Sequence, residues 1–270
     1  MIRIGCQSLA WANYFQNRYS VERVLDDMKK AGFENVELME PLERLGGPQH
    51  LKQLLKEKNV RLASITIVTG MDMSDKEKLA EAKQRIAYAA ALGVNVVPVC
   101  GGFPPEGEDL EFLKKTRMDS FCELLEELGK YAQRHGVEIA FHPHLRCLVE
   151  NEQDIESLLA RTSLVQLCLD TAHLAAAGTD PVMVVKKHAE KIKYVHLKDF
   201  KRHLVRKPEV IWDHFVELGE GDIGIDFSGF LKALEDIRFD GYAVVELDRP
   251  TRHPLESFKM SRQFLRNIGY

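Results

Sequence analysis

Among the 270 residues there is no apolar run near the roughly 20 residues a membrane-spanning helix needs, so no membrane partner is expected. Basic charge is not in excess. Lys and Arg number 37 against 41 Asp and Glu, and the formal net charge of -4 gives no electrostatic reason to expect nucleic acid or another polyanion as partner. Cysteine is sparse: Cys6, Cys100, Cys122, Cys147 and Cys168 are odd in number, widely spaced and never in a CxxC. That argues against a disulfide framework or a zinc knuckle, and for small core residues in a reducing cytoplasm. The N-terminal MIRIGCQSLAW lacks a charged region followed by a long apolar one, so no signal peptide is expected. There is also no linker, low-complexity tract or strong internal repeat.

What is present is an alternation. With 45% hydrophobic and 29% charged residues, the composition is that of an ordinary globular protein, long enough for two small domains or one α/β barrel. Short apolar runs at Arg3–Gln7, Asn35–Met39, Arg61–Ile67, Asn95–Val99, Glu138–His142, Val165–Asp170, Ile192–Leu197 and Tyr242–Leu247 read as strands. Most are β-branched and unbroken, as parallel strands covered on both faces require. Amphipathic stretches such as SVERVLDDMKKAGF, DKEKLAEAKQRIAYAAALG and RMDSFCELLEELGKYAQRHG lie between them. Gly32, Gly93 and Gly136 stop three helices just before the next strand. Eight strands each followed by a helix predict a (β/α)8 TIM barrel, one α/β domain over residues 1–270, since about 250 residues is typical of that fold. A doubly wound sheet is the rival, but the turn after the first strand, GCQSLAW, holds no GxGxxG.

In a barrel, polar residues at the C-terminal ends of strands read as catalytic. The fifth strand ends EIAFHPH, with His142 and His144; the sixth ends LCLDTAH, with Asp170 and His173. The seventh ends YVHLKD, with His196 and Lys198, and the eighth VVELD, with Glu246. Each follows buried apolar residues, where an unpaired charge is costly, and a divalent cation would satisfy such a set together. Mixed imidazole and carboxylate donors suit manganese, cobalt, zinc or iron(II) better than calcium. Each residue also has a plainer explanation. A lone strand-end histidine can be structural, Asp170 can be a helix N-cap, Glu246 can pair with Arg249, and Lys198 can lie at the surface. The longest irregular stretch, about Phe200 to Gly224, carries Lys201, Arg202, Arg206 and Lys207 before GEGDIGIDF. It reads as a solvated charged loop, with an anion-holding loop as the alternative.

LCLDTAH, YVHLKDF, GEGDIGIDF and GYAVVELDRP, in this order, resemble the xylose-isomerase-like barrels of the sugar isomerase and epimerase superfamily. The resemblance runs from SLAW near residue 8 through the final helix. It implies one divalent metal, with Asp170, His196 and Glu246 at matching ligand positions. It further implies that His173 contacts substrate and that Glu37, near the end of the second strand, lines the pocket. His142 stands where most isomerases and epimerases of the superfamily have their first glutamate. The HPH run, SLAW and LDTAHLAAAGTDP resemble the inosose dehydratase branch, whereas LRC after the histidines departs from its pattern.

The chemistry implied is metal-assisted α-proton abstraction on a keto-sugar or keto-cyclitol, the metal stabilising the enolate. His142 is the expected ligand and His144 the base, with these roles exchangeable and Glu246 as rival base. Lys198 would serve the leaving hydroxyl or the enolate oxygen. Loss of a β-hydroxyl gives dehydration; return of the proton to another carbon or face gives isomerisation or epimerisation. Trp11, Phe103 and Trp212 are candidate pocket walls or plain core, and Arg249 a candidate substrate contact. A DNA-repair endonuclease on the same barrel would need further histidines after strands three and four. Those ends read SITIVTG and VPVCGG, with none. A sugar-binding barrel without catalysis is the remaining alternative, and the chain is compatible with a homo-oligomer.

Overall fold

The computed structural model describes residues 1–70, 76–204 and 210–270. Arg206 and Lys207 of the basic loop lie outside the described residues. The strands are β1 (Ile2–Gln7), β2 (Asn35–Leu38), β3 (Arg61–Ile65), β4 (Ile67–Val68), β5 (Val96–Cys100), β6 (Glu138–Phe141), β7 (Val165–Asp170), β8 (Ile192–Leu197), β9 (Asp199–Phe200), β10 (Phe215–Val216) and β11 (Gly241–Val245). Nine of them form one sheet in the order β3-β2-β1-β11-β8-β7-β6-β5-β4. β1 runs parallel to β11 and β2, β5 to β4 and β6, and β6 to β7. The sequence places seven of the eight expected strands to within a residue or two. The third, Arg61–Ile67, is interrupted at Thr66, whose carbonyl accepts from the buried Arg85 Nε at 2.9 Å. A side-chain donor there replaces a ladder bond.

Two compact units share the chain: residues 1–63 with 195–270, and residues 64–194. The chain passes from one to the other inside β3 and inside β8, not through linkers. In the first unit the helices are α1 (Leu9–Tyr14), α2 (Val21–Lys30), α3 (Leu42–Leu45) and α4 (Pro48–Lys58), then α10 (Phe227–Asp236) and α11 (Pro254–Asn267). Ser20 caps α2 by accepting from Arg23 N, and Val24, Leu25 and Met28 form its buried stripe. Phe258 of α11 packs against Trp11, with ring centroids 4.6 Å apart, and edge-on to Phe33.

The second unit carries α5 (Lys76–Ala91), α6 (Leu110–Arg134), α7 (Glu152–Arg161), α8 (Thr171–Ala176) and α9 (Pro181–Lys187). α6 begins well before the Arg117 expected from the amphipathic pattern, because Asp109 caps it by accepting from Phe112 N at 2.7 Å. Gly32, Gly93 and Gly136 all have positive φ, as expected of helix stops.

The stretch after β8 is less irregular than its sequence implies. β9 and β10 pair antiparallel, and the buried Asp199 carboxylate accepts from the backbone N–H groups of Phe200, Gly219 and Gly221. Burial still raises the Asp199 pKa above the ordinary aspartate range. Arg202 and His203 donate backbone N–H groups to Asp222, so this part of the loop is anchored. At Gly221 an added Cβ would collide with the Asp199 carboxylate and lie 2.7 Å from the Phe200 carbonyl oxygen. Gly221→Ala is therefore expected to cost about 1–3 kcal/mol, read as a lower denaturation midpoint. Gly47→Ala, where a Cβ meets nothing within 4 Å, should change it little. Equal midpoints for the two variants would contradict this packing.

Candidate metal centre

In the second unit, β6 ends at Phe141, but the ladder runs one step further because His142 N donates to Val99 O at 2.8 Å. His142 is buried, and its Nδ1 lies 3.0 Å from the Pro143 carbonyl. A carbonyl only accepts, so Nδ1 carries the proton and Nε2 the lone pair. That Nε2 faces Asp170 Oδ2 at 3.7 Å. Asp170, fully buried at the end of β7, divides its two oxygens. Oδ1 accepts from Ala172 N and His173 N, each at 2.8 Å, and so caps α8. The expected N-cap role is thus real and leaves Oδ2 turned toward His142.

His144 goes elsewhere. Its Nδ1 donates to the Leu145 carbonyl at 2.8 Å, which puts the lone pair on Nε2. Its ring lies over that of His173, with centroids 3.7 Å apart, and the Phe103 ring meets it edge-on at 4.9 Å. His173 Nδ1 accepts from Leu145 N at 3.3 Å, so the neutral ring bears its proton on Nε2, a donor suited to a hydroxyl.

In the first unit, β1, β2, β11 and β8 bring a second set together at their C-terminal ends. His196 stands between two carboxylates: Nδ1 is 2.7 Å from Glu246 Oε2, and Nε2 is 3.0 and 3.2 Å from the oxygens of Glu37. Glu37 also accepts from Gln7 Nε2 at 2.6 Å. Burial first, and then the Glu37 charge, push the Cys6 thiol well above its ordinary pKa, so it stays protonated. Lys198 is fully buried, not at the surface. Its ammonium lies 2.8 Å from Glu246 Oε1 and 2.8 Å from Asp248 Oδ2, and 4.4 Å from the centroid of the Phe215 ring. Buried Glu246 and half-buried Asp248 thus share the one ammonium, while buried Glu37 faces His196 and Gln7, and carboxylates gathered this closely favour a cation.

Arg249 does not pair with Glu246; its Nη1 lies 3.4 Å from Asp213 Oδ1 in an exposed pair. Trp11 is fully buried, with Nε1 3.3 Å from Asp27 Oδ2, and packs on Phe258. Trp212 is partly exposed and stacks toward Phe215. Asp248 and Gln7 were not foreseen. Asp248 carries a readable signal, since it stands two residues past Glu246 and so shares its strand face. Gln7 at the end of β1 carries none beyond its position.

A family model described as xylose isomerase-like TIM barrel matches residues 25–268. The inosose dehydratase of Geobacillus kaustophilus (strain HTA426) is 28% identical over 291 residues, covering 97% of this chain and 93% of its own. Among solved structures, IolI protein with a binding zinc atom has a TM-score of 0.75 and 20% identity over 98% of this chain and 97% of that one. A D-tagatose 3-epimerase-like protein has a TM-score of 0.78 at 18% identity, over 98% and 96% of the two chains. The expected (β/α)8 fold is therefore the one this chain has, and with the match extending over nearly its whole length it belongs to the xylose isomerase-like TIM barrel family.

Proposed function

We propose that this chain is a divalent-metal-dependent carbohydrate lyase, removing water from a keto-cyclitol or a related keto-sugar. His142, Asp170, His196 and Glu246 would hold the ion. The observation that carries this reading is the donor set: all four are buried, each offers one nitrogen or oxygen, and together they form a group able to hold a metal ion. Two neutral imidazoles and two carboxylates balance a divalent charge, and such a set suits zinc, manganese, cobalt or iron(II). The inosose dehydratase relative and the zinc named with the IolI structure support the same reading.

A bound ion would supply Lewis acidity toward a substrate carbonyl and its neighbouring hydroxyl. The remaining work falls to side chains. His144, with the Nε2 lone pair set by its bond to Leu145, takes the α-proton. Lys198 gives a proton to the β-hydroxyl, which leaves as water while the C–H electron pair becomes the new double bond. Its ammonium lies 2.8 Å from a carboxylate oxygen of each of Glu246 and Asp248. His173 donates from Nε2 to a substrate hydroxyl. Epimerisation is the second reading, favoured by the likeness to a D-tagatose 3-epimerase-like fold and by Glu246, a carboxylate able to return a proton to the opposite face.

Elemental analysis of chelator-free protein should find about one equivalent of transition metal. Asp170→Asn and Glu246→Gln should each lose most of it, and full retention in both would remove the site. A separate measurement divides ligand from base. In heavy water, with a keto-cyclitol that binds, wild type should eliminate water or incorporate deuterium at the α-carbon. His144→Ala should keep its metal and lose both activities by about 10²-fold or more. Exchange at the wild-type rate in His144→Ala with metal bound would assign the base to another residue.

A further inference from the structure

Of the two nitrogens of His196, one must be protonated in the neutral ring, and its two carboxylate neighbours compete for that proton. A proton on Nδ1 would be donated to Glu246, tying up the nitrogen and the carboxylate oxygen that face each other at 2.7 Å. A proton on Nε2 would go to Glu37, which approaches with both oxygens. A divalent cation decides between them, because it would take the Nδ1 lone pair and the Glu246 oxygen facing it, leaving the proton to Nε2. Glu37 is placed to receive that proton: both its oxygens reach Nε2, and Gln7 holds the carboxylate at 2.6 Å. Glu37 is wholly buried, so water does not dilute its pull.

We infer that Glu37 is a positioning residue that keeps the His196 proton on Nε2, so that Nδ1 presents its lone pair to a divalent cation. The assignment rests on the metal reading above and changes the expected role of Glu37, which acts through His196 and not by touching substrate. Gln7 fixes the carboxylate from behind, making a relay from the end of β1 through β2 to β8. The pattern is an outer carboxylate that orients a ligating imidazole and raises its basicity, and losing such a partner typically weakens metal affinity 10–100-fold.

The test begins with the zinc-loaded wild-type protein. Nitrogen-15 NMR of the imidazoles, with the His196 signal identified by its loss in His196→Gln, should show the Nε2–H form. Zinc affinity is then measured by competition with a chelator for wild type, Glu37→Gln and Gln7→Met. Glu37→Gln keeps the size of the side chain and removes its charge; it should bind zinc roughly 10–100-fold more weakly. Gln7→Met should lose several-fold, and the Km for substrate at saturating zinc should stay close to wild type in both variants. An Nδ1–H tautomer in the wild type overturns the assignment even if Glu37→Gln does not fold. So does a zinc affinity in Glu37→Gln equal to that of wild type. Failure of wild type itself to bind zinc or another divalent metal would instead defeat the metal reading on which this inference rests.

Discussion

A carboxylate sealed from water at the end of a strand is the constraint on which the rest of this site depends. Transfer of the charge from water is costly, and the surroundings must return the cost through donors or a cation. Each such group meets that demand in its own way. Asp170 spends one oxygen on the N-terminus of α8. Glu246 takes the Lys198 ammonium on one oxygen and faces His196 with the other. Glu37 is met by Gln7 and His196. Asp199, further along, is met by three backbone N–H groups and stays raised in pKa all the same. The last case is structural: its donors are the backbone N–H groups of Phe200, Gly219 and Gly221, which tie β9 to the chain after β10.

The same accounting explains how much of the molecule could be read from its residues. Strands β7 and β8 are legible to the residue because they are short, mostly apolar runs closed by Asp170 and by His196-Leu197. Their polar ends stand out for the same reason, since a charge following a buried run calls for an explanation. The site residues missing from that reading act through partners distant in sequence. Gln7 matters only because Glu37 lies 30 positions away. The break at Thr66 is invisible without Arg85, 19 positions on, and β9 with β10 is organised by an aspartate that looks like any other loop acid. Trp11 is open to two readings in the sequence, pocket wall or core, and only the structure shows it buried against Phe258.

Two histidines from one strand end need not share a task, and here the backbone separates them. Pro143 between them has no N–H, but its carbonyl takes the Nδ1 proton of His142, while the Leu145 carbonyl takes that of His144. Both rings therefore present Nε2 lone pairs, and their surroundings differ. His142 Nε2 faces a carboxylate, as a ligand would beside a fellow ligand. His144 lies on His173 and against Phe103, in ring contacts that hold the imidazole in place. Were His142 a ligand, as proposed, an imidazole there would leave one fewer negative charge around a divalent ion than a glutamate would. The ion's Lewis acidity would then be less damped, which would favour drawing electron density from a carbonyl and acidifying the neighbouring carbon.

That loss of a carboxylate also shapes what can follow proton removal. With two carboxylates on opposite sides of a substrate, either can return a proton, and the outcome is a changed configuration. On the proposed reading His144 is the base in place of one carboxylate, and the remaining one, Glu246, is already engaged with the buried Lys198 ammonium. The Lys198 ammonium lies 2.8 Å from a carboxylate oxygen of each of Glu246 and Asp248, and of these groups it is the one with protons to give. The proposed elimination uses it to protonate the departing hydroxyl. An imidazole at position 142 and the pairing of Lys198 with Asp248 at 2.8 Å both suit the proposed elimination of water, by separate physical routes.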